Sequence, residues 1–90
     1  MNRSVSILVS GKVQGVCFRA ATKKQADKLG VVGYAKNLND GRVEINACGD
    51  DSAVSALINW SYKGSLFSKV KELEIIELEE RESFSGFEIK

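Results

Sequence analysis

Four changes of hydrophobic period, each beside a glycine, limit this chain to very few folds. Ser4-Val5-Ser6-Ile7-Leu8-Val9-Ser10 alternates apolar and small polar residues, which puts Val5, Ile7 and Val9 on one face of a strand that Gly11 is expected to end. From Phe18 the period lengthens. Phe18, Thr22, Ala26 and Leu29 fall on one side of a helix, and Gly30 stands where a left-handed C-terminal cap belongs. The stretch from Val31 to Leu38 is β-rich again, and Asn39-Asp40-Gly41 then signals a tight hairpin, because Asp-Gly suits positive φ angles. Beyond it Arg42 to Ala47 alternates cleanly, with Val43, Ile45 and Ala47 facing inward.

The second half repeats the scheme. Asp50, Asp51 and Ser52 offer cap oxygens and negative charge at the start of another helix. Val54, Leu57 and Ile58 are its apolar stripe, Trp60 flanks it and Gly64 closes it. Val70 to Leu78 reads as a strand whose phase slips, since Val70 and Leu73 are three apart, so a bulge or bend is expected there. Phe84 to Ile89 supplies a short last strand with Phe87 and Ile89 on one face. This order predicts an α+β fold, the ferredoxin-like βαββαβ sandwich, with an antiparallel sheet and two helices on one face. Right-handed crossovers make the first two strands parallel, with the third inserted antiparallel between them. The loop after the first strand (Lys12 to Phe18) and the end of the second (Lys36 to Leu38) must then emerge at the same end of the sheet.

Ninety residues with a net charge of +1, 43% hydrophobic, make one domain spanning 1–90. A near-neutral balance argues against a partner rich in phosphate backbone or anionic lipid. No apolar run approaches the roughly 18 residues of a membrane span. Met1-Asn2-Arg3-Ser4 leads directly into a strand without an apolar leader, so a cytoplasmic location is expected. The chain has no His, which removes the usual neutral-pH base and the commonest metal ligand. Its two cysteines, Cys17 and Cys48, cannot make a four-ligand zinc site; they are expected at opposite ends of the sheet as free thiols. Any chemistry must therefore run on backbone amides, charged side chains and water.

The richest segment is Gly11-Lys12-Val13-Gln14-Gly15-Val16-Cys17-Phe18-Arg19, which joins a strand to a helix N-terminus. Gly15 lets successive N–H groups point into one concavity, and the first helical turn adds unpaired donors and a positive dipole end. The result is an anion seat suited to phosphate, with Arg19 placed to clamp its oxygens. It is not a nucleotide P-loop, because G-x-x-x-x-G-K-[ST] is absent. The plainer alternative is an ordinary Gly-containing loop beside a solvated Arg.

The string G-K-V-Q-G-V-C-F-R, followed by G-Y-A-K-N-L-N-D-G-R-V-E from Gly33 to Glu44, closely resembles the two signatures of the acylphosphatase family. The resemblance extends through the Trp60 helix, Ser68-Lys69-Val70 and the closing Phe87-Glu88-Ile89. It implies a ferredoxin-like fold and hydrolysis of acyl phosphates to carboxylate and inorganic phosphate, with no metal and no cofactor. The family's catalytic arginine falls on Arg19 and its catalytic asparagine on Asn37. The phosphate cradle falls on the backbone of Gln14, Gly15, Val16, Cys17, Phe18 and Arg19. A small-molecule substrate, a monomer and no nucleic-acid or membrane partner are the accompanying expectations.

Simpler readings compete at several positions. Asn37 could merely cap the hairpin before Asp40-Gly41. Cys17 departs from the family's usual residue there; a cysteine phosphatase needs C-x₅-R, but the sixth residue after Cys17 is Lys23, so a tolerated small side chain is expected. The charge run from Lys69 to Glu82 reads as the solvated face of a strand and its following loop, and Trp60, Tyr62 and Phe67 as core or rim packing. A non-catalytic binding module on the same fold is the rival class. Its RNA-binding form is disfavoured because Val5, Ile7, Val43 and Ile45, rather than stacking aromatics, occupy the central strands.

Overall fold

A computed structural model of the chain describes residues 2–79 and 84–90. The elements run β1 (Asn2–Lys12), α1 (Phe18–Leu29), β2 (Val32–Asn37), β3 (Val43–Asp50), α2 (Asp51–Lys63), β4 (Lys69–Glu77) and β5 (Phe87–Ile89). The sheet order is β4-β1-β3-β2-β5. β3 lies antiparallel between β1 and β2, as expected, and β4 is antiparallel to β1. The expected antiparallel sheet is extended by one parallel pair: Gly33, Tyr34 and Ala35 of β2 align with Phe87, Glu88 and Ile89, so the whole sheet is mixed. β5 begins beside Gly33, near the start of β2, and so must run in the same direction as that strand.

Alternation in β1 and β3 builds the core. Val5, Ile7, Val9, Val43, Ile45 and Ala47 are all fully buried on the helix-covered face. Full burial of each Ile or Val side chain contributes on the order of 1.5–3 kcal/mol. Phe18 of α1 stacks on Trp60 of α2 with ring centroids 5.7 Å apart, closing the top of the core. Two buried hydroxyls lie on the same helix faces. Thr22 donates to the Phe18 carbonyl at 2.8 Å and Ser61 to the Leu57 carbonyl at 2.8 Å, so neither is left unsatisfied. The residues weighed above against RNA binding therefore belong to the core. The open sheet face carries instead Ser4, Ser6, Asn46 and Glu44, the last accepting from the Tyr34 hydroxyl at 3.2 Å.

One expectation at an element end is corrected. Gly11 does not end β1, which continues to Lys12 through a shift in register: Ser10 faces Glu72, but Gly11 faces Val70. The extra residue is Lys71, so the expected bulge is present in β4 and brings Val70 and Leu73 together against the core. At the start of α2 the N-cap is Asp50, as expected, and its carboxylate accepts from the Ser52 hydroxyl at 2.8 Å, which holds it below the ordinary aspartate range. Gly30 does form the left-handed cap of α1. The exposed β4 face agrees with the solvated charge run, of which Glu80, Arg81 and Glu82 lie outside the described residues.

Arg3 ties the far end of the sheet together. Its guanidinium donates to Glu77 of β4 in bidentate fashion, Nε to Oε1 at 3.0 Å, and to the Ser55 hydroxyl of α2 at 3.0 Å. Hydrogen bonding from Arg3 holds the Glu77 carboxyl below its ordinary value of 4.5. A carboxyl with a lowered folded-state pKa contributes stability above its unfolded value and loses it as the pH falls through the folded one. Thermal melts in acid should therefore show stability declining below 4.5, with a shallower decline in Glu77→Gln.

Gly11 is needed by the bulge itself. It adopts φ 124°, and a Cβ there would sit 2.1 Å from the Lys69 carbonyl oxygen. Gly11→Ala should cost about 2–4 kcal/mol in urea unfolding, at the upper end of point-mutant effects, because the obstacle is backbone that cannot move aside.

Candidate active site

The loop between β1 and α1 is fixed at both ends by burial: Val13 and Phe18 are each only 1% exposed. Between these anchors the chain takes two left-handed residues, Gly15 at φ 74° and Cys17 at φ 60°. The interleaving of left-handed residues turns successive N–H groups toward one side, the geometry of an anion nest. Cys17 is also the N-cap of α1; its carbonyl accepts from the Ala21 N–H at 3.0 Å, but its side chain caps nothing. No acidic residue occupies the first turn of α1, so the positive end of this helix is left unopposed.

Side chains brace the loop from both flanks. The Gln14 amide donates to the carbonyls of Leu38, at 2.7 Å, and Arg42, at 2.9 Å, locking the loop onto the β2–β3 hairpin. The Ser65 hydroxyl donates to the Val16 carbonyl at 3.2 Å from the other side. The convergence expected from topology is thus realised by direct hydrogen bonds. A cavity of about 380 Å³ opens beside the loop, lined by Gly15, Cys17, Arg19, Ala20 and Ile89 among others.

Arg19 stands in the first turn of α1 and donates to the Lys90 backbone oxygen at 2.6 Å. Lys90 is in turn held by β2: its N–H donates to the Ala35 carbonyl at 2.9 Å, and its ammonium lies 4.3 Å from the centre of the Tyr34 ring. The guanidinium is therefore oriented through the strand that ends in Asn37. Asn37 is half-buried, and its side-chain oxygen Oδ1 is buried without a hydrogen-bond partner. Such an atom costs about 1–3 kcal/mol unless something completes it. The hairpin-cap alternative is taken by another residue. Asp40 accepts from the Arg42 N–H at 3.1 Å and from its Nε at 2.8 Å, and these bonds hold its carboxyl below the ordinary aspartate range.

A larger cavity, about 620 Å³, lies on the open sheet face. Glu44, Glu77 and Glu79 line it, which makes it unsuited to an anion. Among the described residues no three His, Cys, Asp or Glu side chains cluster as metal ligands would. Cys17 and Cys48 are both free thiols, and Lys23, the residue a cysteine phosphatase would need as Arg, donates to Asp27 and to the Phe87 carbonyl.

The acylphosphatase family model matches residues 5–89, nearly the whole described core together with the braced loop and hairpin. The chain belongs to the acylphosphatase family. An acylphosphatase of Halorhodospira halophila is 62% identical over 56 residues, which are 62% of this chain and 61% of that protein. One from Chromohalobacter salexigens is 47% identical over 79 residues, covering 88% of each. The crystal structure of the Bacillus subtilis acylphosphatase, 39% identical, superposes with a TM-score of 0.94 over 100% of this chain and 99% of that one.

The two motif strings single out the loop, Arg19 and Asn37 as the expected site, but not the braces around them. Gln14 was read only for its backbone, although its side chain makes the tie to the hairpin. Lys90 gave no signal, and Ile89 only as part of a short last strand, because their place beside Arg19 comes from the parallel docking of β5. Cys17 in left-handed conformation pays a penalty of about 1–2 kcal/mol that glycine avoids. Cys17→Gly should therefore raise stability by up to about 1 kcal/mol in chemical unfolding, after the extra chain entropy of glycine is subtracted.

Proposed function

We propose that this acylphosphatase hydrolyses acyl phosphates at the β1–α1 loop, with the backbone of Gln14 to Arg19 as phosphate cradle and with Arg19 and Asn37 as the catalytic side chains. The loop amides, the α1 dipole and the Arg19 guanidinium take the three phosphoryl oxygens and stabilise the charge they carry in the transition state. Substrate phosphate replaces the Lys90 oxygen as a partner of Arg19. The Asn37 carboxamide holds the attacking water, its oxygen accepting one water proton. The water oxygen bonds to phosphorus while the bond from phosphorus to the acyl oxygen breaks. The electron pair leaves with the carboxylate, and the water proton passes to a phosphoryl oxygen. A carboxylate is a good leaving group, so the reaction calls for neither a protein base nor a metal.

The observation that carries this reading is Asn37 Oδ1, a buried acceptor without a partner, in a hairpin bonded directly to the anion-binding loop. The reading extends to a single domain over residues 1–90 that acts as a cytoplasmic monomer on a small molecule, without nucleic-acid or membrane partners. Its support is the net charge of +1 and the acidic lining of the open sheet face, where Glu44, Glu77 and Glu79 would repel a phosphate backbone.

The test is hydrolysis of benzoyl phosphate in excess chelator, with inorganic phosphate as competitor. Turnover should persist with the chelator present. Arg19→Ala should lose at least about 100-fold in kcat and bind phosphate more weakly. Asn37→Ala should lose kcat by a similar factor with KM little changed, since a water-positioning group acts mainly on turnover. Near-normal activity in either variant would remove the role assigned to it.

A further inference from the structure

The loop between α2 and β4 presents two large apolar side chains that folding does not explain. Leu66 is 89% exposed and Phe67 is 71% exposed, so Phe67 is not the packing residue its sequence position suggested. Side chains this exposed contribute little to the core, and adjacent exposed apolar residues commonly mark a binding surface. They do not stand alone. With Val16, Cys17 and Ala20 they line an apolar groove of about 360 Å³, and Lys24 adds the only charge to its lining. A lysine in that position can lay its methylenes along the groove and keep its ammonium in water.

The place of the groove identifies its occupant. Cys17 and Ala20 line both this groove and the cavity that holds Arg19, so the two adjoin and share one wall. The loop that carries Leu66 and Phe67 is also bonded to the phosphate cradle, through Ser65 to the Val16 carbonyl. A phosphoryl group seated on the amides can leave its acyl end on that shared wall, facing an apolar trough. The volume lies at the small end of the roughly 300–1,000 Å³ of small-molecule sites, which suits a short apolar tail.

We infer that this groove is the acyl subsite, and that the enzyme favours acyl phosphates with an apolar chain of several carbons, aliphatic or aromatic, over acetyl phosphate. The inference rests on the phosphate seat proposed above and adds the substrate class. Binding of the tail raises kcat/KM because the groove removes apolar surface from water.

The test compares acetyl, butyryl and hexanoyl phosphate, whose carboxylate leaving groups are nearly equal in basicity, so differences along the series report contacts rather than intrinsic reactivity. In the wild-type protein kcat/KM should rise by about tenfold or more from acetyl to hexanoyl phosphate. The double variant Leu66→Ser/Phe67→Ser should flatten that rise to within about twofold, while inhibition by inorganic phosphate stays at the wild-type level. Both side chains are exposed, so a wild-type melting temperature is expected and separates the effect from misfolding. Turnover with a flat series in the wild-type protein, or an unaltered slope in the variant, would overturn the acyl subsite alone. No turnover on any member would remove the phosphate-seat reading and this inference with it.

Discussion

Everything at the catalytic end of this protein depends on a short loop whose two ends are buried. Val13 and Phe18 are core residues, so the segment between them cannot relax without exposing apolar surface. That burial supports backbone conformations the sequence would not adopt unaided, above all the left-handed Cys17. An anion seat made of amides needs such enforcement, because amide dipoles stabilise charge well only when they are already aimed and need not reorganise.

The same logic governs the side chains around the loop. The Gln14 side chain, the Ser65 hydroxyl and the Lys90 backbone oxygen each bond a part of the site and hold it in place. Asp40 satisfies the hairpin backbone, and Asn37 keeps an open acceptor. One hairpin thus contains an acid whose hydrogen bonds are satisfied and an amide whose oxygen is left without a partner, a few residues apart. Local instability is confined to the place where a ligand would relieve it.

Much of the fold could be read from hydrophobic period alone. The period-two runs of β1 and β3, the Phe18-Thr22-Ala26 stripe and the Asp-Gly turn are local signals, and local signals survive in a single sequence. The slipped phase of Val70 and Leu73 revealed the β4 bulge for the same reason. What escaped reading was non-local. The continuation of β1 past Gly11 depends on how that residue abuts Lys69, and the parallel docking of β5 on tertiary packing. In the site, Arg19 and Asn37 were legible through the two motif strings, whereas the orienting contact from Lys90 had no counterpart in spacing or composition.

The bulge at Lys71 has a further effect, on the outer margin of the sheet. A straight, apolar β4 would offer a regular ladder of donors and acceptors to any strand that met it, an invitation to amyloid-like growth. Here the ladder is kinked, and lysines and glutamates alternate with its few aliphatic residues. The opposite margin, β5, is only three residues long. The irregularity that brings Gly11 against Lys69 thus also denies the sheet a clean template at one of its two borders.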